Sequence, residues 1–161
     1  AVTALETIEQ AEIYHELDIT PLWKEPLVVV AGASHPVLRR KAQTLAQLRA
    51  LDWVMMPHIT SGRRALERMF LREGLPPPAP HIETESFHIG LSLVASSRLV
   101  MAVPYSAYLQ YQPRVKRVPM KDSFTNGAVV FATLSGTPQL PAVSDLARGF
   151  QRFAKTYPVK A

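Results

Sequence analysis

Cysteine is absent from this 161-residue chain, which excludes disulfide bridges and thiolate metal sites and suits a cytoplasmic protein. Charged residues are scarce, at 19% against 47% hydrophobic. That balance argues against disorder and for one packed domain or two small lobes. No apolar run reaches the length that crosses a bilayer, so no membrane partner is expected. No basic-then-apolar leader with a small-residue cleavage site is read at the start. The five histidines, His15, His35, His58, His81 and His88, show no HExxH or other ligand spacing, so no metal is expected. A G-x-S-x-G elbow and a P-loop are both missing, which leaves no catalytic residue and no cofactor to nominate. Long basic runs are missing too. The net charge is +5, but Arg39-Arg40-Lys41, Arg63-Arg64, Arg68, Arg72, Arg114 and Lys116-Arg117 are scattered. No aromatics interleave with them as a stacking platform would require, so a solvated basic surface is expected rather than a nucleic-acid interface.

What is present is an alternation of apolar strands and amphipathic helices. Val28, Val29 and Val30 lie in an apolar run between Pro26 and Gly32, the pattern of a strand buried on both faces. Leucines 45, 48 and 51 recur at helical spacing over residues 44–51, and Trp53 to Met56 reads as a strand. A helix is predicted over 61–73: Ser61 can cap it, Ala65, Leu66, Met69 and Phe70 form one stripe, and Gly74 suits a left-handed exit. Pro76-Pro77-Pro78-Ala79-Pro80 is a stiff extended connector. A strand over 81–85 precedes a helix over 86–97 with Ile89, Leu93 and Val94 buried. A strand over 99–103 precedes a short helix over 105–112. Residues 115–120 suit an edge strand, Asn126-Gly127 a turn, and 128–133 a further strand. Pro141 opens a last helix with the stripe Val143, Leu146, Phe150, Phe153 and Tyr157. Strands alternating with helices imply an α/β fold with parallel sheet and right-handed crossovers.

The run Leu22-Trp23-Lys24-Glu25-Pro26-Leu27-Val28-Val29-Val30-Ala31 is followed by Ser34-His35-Pro36. Then come Asp52-Trp53-Val54-Met55-Met56-Pro57 with Thr60-Ser61-Gly62, then Glu83-Thr84-Glu85-Ser86, then Val100-Met101-Ala102-Val103-Pro104. In that order and spacing the chain resembles, over almost its whole length, the effector-binding domain of LysR-type transcriptional regulators. The resemblance implies a two-lobed, type 2 periplasmic-binding-protein-like fold with a ligand cleft between lobes. Residues 1–50 and 127–161 would form the first lobe and residues 51–126 the second. It implies that the first lobe is incomplete, and that the winged helix-turn-helix through which such regulators contact DNA lies outside this chain. It also implies a small-molecule effector, anionic in character, and self-association as a homodimer or tetramer. Rival readings on the same scaffold are the solute-binding protein of a transporter, which an upstream secretion signal would mark, and an enzyme, which paired titratable groups in the cleft would mark.

Candidate residues follow from two strand-to-helix turns. Thr60, Ser61 and Gly62 open a helix whose free N–H groups and dipole can hold an anion, or Ser61 is only a cap. Arg63 and Arg64 either assist that anion or stay solvated. Ser86 and Phe87 repeat the arrangement, as donor and wall or as cap and core aromatic. Two such turns at neighbouring carboxyl strand ends would converge on one crevice. The resemblance adds Val2 and Thr3 from the first lobe, Pro104 and Tyr105 at another strand end, and Phe131, as floor of the cleft or as core. For self-association it points to the helix over 61–73, through Ala65, Arg68, Met69 and Arg72, with Met69 the leading contact. His35, before Pro36, is read as a turn residue.

Overall fold

A computed structural model describes residues 1–9, 11–121 and 127–157. In chain order the elements are β1 (Val2–Ala4), α1 (Leu5–Ile8), β2 (Leu17–Lys24), β3 (Leu27–Gly32), α2 (Leu45–Arg49), β4 (Trp53–Met55) and α3 (Ser61–Arg72). They continue as β5 (Pro80–Glu83), α4 (Phe87–Ala95), β6 (Val100–Pro104), α5 (Tyr105–Tyr111), β7 (Val115–Arg117), β8 (Ala128–Leu134) and α6 (Pro141–Thr156). Short 3-10 turns add Tyr14–Glu16 and Pro36–Arg39. Asn126 of the expected turn lies outside the described residues.

The chain divides into two compact units, Ala1–Glu25 with Gly127–Ala161, and Pro26–Asn126. This corrects the boundary expected after residue 50. Residues 26–50 belong to the second unit because β3 is hydrogen-bonded within it on both edges, to β6 and to β7.

The second unit is a five-stranded sheet in the order β5-β4-β6-β3-β7. β4 runs parallel to both β5 and β6, while β3 is antiparallel to β6 and β7. The sheet is mixed rather than only the expected parallel one: β3 lies antiparallel between two strands that α5 links by a crossover. All six residues of β3 are buried, and they alternate as the pleat requires. Leu27, Val29 and Ala31 pack with Leu45, Leu48, Leu66 and Phe70 on the α2–α3 face. Val28 and Val30 pack with Leu91, Val94, Met101 and Val103 on the α4–α5 face. Each large side chain covered in this way contributes about 1.5–3 kcal/mol of hydrophobic free energy.

Local chemistry sets the boundaries. Thr44 and Gln47 form a capping box at α2. The buried Trp53 indole donates to Leu48 O at 2.9 Å, satisfying a carbonyl near the end of that helix. Gly74 leaves α3 at φ +68°, a conformation costly to residues with a Cβ. Gly32 ends β3 so close to α4 that an added Cβ would lie 2.7 Å from Val94 O. His35 is buried and bonded at both ring nitrogens: Val37 N–H donates to Nδ1 at 3.0 Å, and Nε2 lies 3.0 Å from Arg98 O. Accepting at Nδ1 assigns the proton to Nε2, so the ring locks the turn after β3 to the approach to β6. Ile89, expected in the core, is 54% exposed; Gly90, Leu91 and Val94 are the buried residues of α4.

The first unit is an antiparallel sheet, β1-β8-β2. On one face Val130 and Ala132 pack with Ile8, Leu17 and Ile19. Phe131, one residue out of phase, meets Phe150 of α6 at a 6.3 Å ring separation. Trp23 stacks with Phe153 and Tyr157, and the buried Glu25 carboxylate accepts from the Trp23 indole at 3.0 Å and the Tyr157 hydroxyl at 3.3 Å. The apolar stripe of α6 is less covered than its sequence predicts: no residue of the helix is fully buried, and Leu146 and Phe153 stay exposed.

Candidate functional site

The parallel strands β4, β5 and β6 all end at one edge of the second unit's sheet. Met55 pairs with Glu83, Thr84 N–H donates to Met55 O at 3.0 Å, and Pro104 faces Leu27 at the start of antiparallel β3. Each strand end leads into a helix start: Thr60 into α3, Ser86 into α4 and Pro104 into α5. Seven of the sequence-nominated residues thus gather at this carboxyl edge: Thr60, Ser61, Gly62, Ser86, Phe87, Pro104 and Tyr105.

They are not equivalent. Thr60, not Ser61, caps α3. Its Oγ1 accepts from Arg63 N–H at 3.4 Å and donates to Pro57 O at 2.7 Å. Ser61 is the first helical residue, so among the described residues its hydroxyl, its N–H and the Gly62 N–H have no partner. Ser86 does cap α4, accepting from Ile89 N–H at 3.3 Å, while its own N–H goes to Thr84 Oγ1 at 3.2 Å. Its hydroxyl proton stays available. Phe87 is half-buried against the α4–α5 core, which is the core-aromatic alternative. Tyr105 packs on the same core, donates its N–H to Pro26 O at 2.9 Å and lies under the Arg117 guanidinium, 5.8 Å from the ring centroid.

The two arginines of this turn are already engaged. Arg63 Nε donates to Glu67 at 2.6 Å and its Nη1 lies 3.5 Å from Met56 O. Arg64 Nη1 donates to Ile59 O at 2.5 Å. Both brace the β4–α3 connection, but the buried Arg64 Nε has no hydrogen-bond partner among the described residues. The donors at this edge are backbone N–H groups, serine hydroxyls and the Arg64 Nε, at the positive end of a twelve-residue helix.

Val2, Thr3 and Phe131 belong to the first unit. Val2 faces Phe131 across β1 and β8, and Thr3 faces Val130. Alternation along the strand sends Val2 and Thr3 to opposite faces, so their side chains do not point the same way. Phe131 is 6% exposed and packs on Phe150, the core alternative.

On α3, Leu66 and Phe70 are buried in the unit's own core, and Ala65 and Met69 are half-buried against it. Arg72 is exposed. Sequence reasoning missed Leu71, which is 60% exposed. It sits one residue off the apolar stripe, and an isolated leucine there carries no periodic signal. Among the described residues no group of three or more His, Asp or Glu side chains could hold a metal ion. No described helix is long and apolar enough to cross a membrane.

Residues 8–154 match the model of the LysR substrate binding domain family. The chain is 32% identical over 89 residues to the HTH-type transcriptional regulator GbpR of Rhizobium radiobacter, covering 55% of this chain and 28% of that protein. It is 29% identical over 124 residues to the HTH-type transcriptional regulator GalR of Pseudomonas putida, covering 76% of this chain and 31% of that one. Among solved structures it is similar to the Synechocystis CcmR regulatory domain in complex with 2-PG, with a TM-score of 0.77 at 16% identity over 89% of this chain and 70% of that one. The effector binding domain of QuiR in complex with shikimate gives a TM-score of 0.73 at 19% identity, over 92% and 70% of the two chains. The chain thus spans about a third or less of these two curated regulators.

Proposed function

The chain belongs to the LysR substrate binding domain family, and from that membership we propose that it is the effector-sensing part of a LysR-type transcriptional regulator. In this reading it binds a small organic anion at the carboxyl edge of β4, β5 and β6. The observation that carries the placement is the unsatisfied start of α3: two backbone N–H groups and the Ser61 hydroxyl without partners, beside the Ser86 hydroxyl. Such donors stabilise a carboxylate or phosphate through charge-assisted hydrogen bonds. Two relatives of the same fold are described as complexes with 2-PG and with shikimate, which supports a small oxygen-rich acid as the ligand class.

In this reading the role is ligand binding, which the family's character as a substrate binding domain supports. Effector binding alters the regulator's assembly only by its difference in affinity between two arrangements. A winged helix-turn-helix elsewhere in the regulator reports that difference to DNA in the cytoplasm. Self-association as a homodimer or tetramer would use the side of α3 that carries Ala65, Arg68, Met69 and Arg72, where Ala65 and Met69 also border the unit's own core.

The test is a thermal-shift screen of small hydroxy acids and phosphorylated acids on the full-length regulator, starting with 2-PG and shikimate. A ligand present at 100 times its Kd adds about 2.7 kcal/mol to apparent stability. A hit is expected to lose affinity about tenfold or more in Ser86→Ala, as for a hydrogen bond to a charged group. A hit whose affinity is unchanged in that variant and in Ser61→Ala removes the ligand from this edge.

A further inference from the structure

At the opposite edge of the same sheet lies a pocket of about 330 Å³, walled by Ser34, His35, Leu38, Arg39, Lys116 and Arg117. The geometry points to a second anion site here, for a small di- or trianion such as a pyrophosphate or tricarboxylate group. Three observations carry it.

The first is charge. Arg39 and Lys116 line the pocket, the backbone of Arg117 borders it, and no carboxylate does. The Arg39 and Lys116 side chains have no hydrogen bond or ion pair among the described residues, and the Ser34 hydroxyl and N–H have none either. The wider surroundings have the same sign. Residues 26–126 contain thirteen Lys and Arg against six Asp and Glu, whereas the other unit holds five against seven. Like charges brought together on a concave wall repel, and an anion relieves that repulsion.

The second is rigidity. His35 is pinned at both ring nitrogens, and Gly32 is pressed against the Val94 carbonyl. The Ser34 wall is therefore held in place before any ligand arrives, which lowers the ordering cost of binding. The third is size. The volume falls at the lower end of small-molecule pockets, about 300–1,000 Å³, and suits a compact ligand rather than a polymer. Within the pocket Arg39 and Lys116 supply the binding charge. The Arg117 guanidinium is directed at Tyr105, on the α5 side of the sheet.

This site is separate from the one at α3, since Ser34 follows the carboxyl end of antiparallel β3 while α3 follows that of β4. The experiment is isothermal titration of the full-length protein with pyrophosphate, then citrate, at constant ionic strength. Saturable binding is expected, weakened at least fivefold by Arg39→Gln and by Lys116→Gln and unchanged by Ser61→Ala. Both substituted side chains are exposed, and unchanged thermal unfolding will show that the fold is intact. No saturable binding at matched ionic strength overturns the proposal, and leaves Lys116 and Arg117 as charges that guard an edge strand. Binding unaffected by both substitutions overturns it as well, as does weakening by Ser61→Ala equal to theirs. Displacement of pyrophosphate by a short DNA duplex but not by citrate would replace the small-molecule reading with a nucleic-acid contact.

Discussion

Replacing Gly32 by alanine tests the packing that holds the second unit together. The new Cβ would sit 2.7 Å from Val94 O and 3.3 Å from Ala95 O. Both are backbone atoms at the end of α4, so neither can rotate aside as a side chain would. The end of β3 must separate from α4, loosening Val28 and Val30 from Leu91 and Val94. Overpacking of this kind costs about 1–3 kcal/mol. With a urea m-value of roughly 1–3 kcal/mol/M, the unfolding midpoint should fall by about 1 M at unchanged slope. Fluorescence of Trp53, fully buried in this unit, follows the transition. Two other glycines calibrate the result. At Gly90 the added Cβ meets Met101 Sδ at 2.6 Å, the far end of a flexible side chain, so the loss should be smaller. At Gly62 it meets only Leu27 Cδ2 at 3.7 Å, an ordinary contact. There alanine should be neutral or slightly stabilising, because it suits a helix better than glycine. If Gly32→Ala proves as stable as Gly62→Ala, the close approach of β3 and α4 is wrong.

His35→Ala should cost about 1–3 kcal/mol, since it strands the Val37 N–H and the Arg98 carbonyl; a midpoint equal to wild type in chemical denaturation would show that neither bond matters. Gly74→Ala meets no atom within 4 Å yet must adopt φ +68°, so it should lose about 1–2 kcal/mol from backbone strain alone in the same assay. Leu71→Asp in the full-length regulator should leave thermal stability within about 0.5 kcal/mol while lowering the oligomeric state in sedimentation. Met69→Asp should destabilise the fold as well, because Met69 packs on the core. An assembly preserved in Leu71→Asp takes the exposed Leu71 edge of α3 out of the interface.

How far the sequence could be read depended on whether the signal was local. β3 was legible because burial on both faces leaves no polar residue in Leu27-Val28-Val29-Val30-Ala31. The caps and the Gly74 exit were legible because each is settled within a few residues, although the neighbours Thr60 and Ser61 could not be ranked by chemistry alone. Ile89 was misplaced because α4 is apolar nearly all round, so its periodicity does not mark a buried face. The division between units was misjudged because only the long-range pairing of β3 with β6 and β7 decides it. The gathering of Thr60, Ser61, Ser86 and Pro104 at one edge was foreseeable from strand-to-helix order, whereas the engagement of Arg63 and Arg64 was not. The pocket at Arg39 and Lys116 draws on residues far apart in sequence, each unremarkable alone.

The most direct test of an anion held at the start of α3 is titration of the full-length regulator's confirmed effector into Ser61→Pro. Proline is accepted at the first helical position, and Thr60 already has the extended backbone, φ −80° and ψ 143°, that a residue before proline prefers. The helix therefore survives while one unpartnered N–H and one hydroxyl are removed together. Effector affinity is predicted to fall more than tenfold, beyond the loss in Ser61→Ala, with thermal stability retained. Wild-type affinity in a stably folded Ser61→Pro protein would contradict the account.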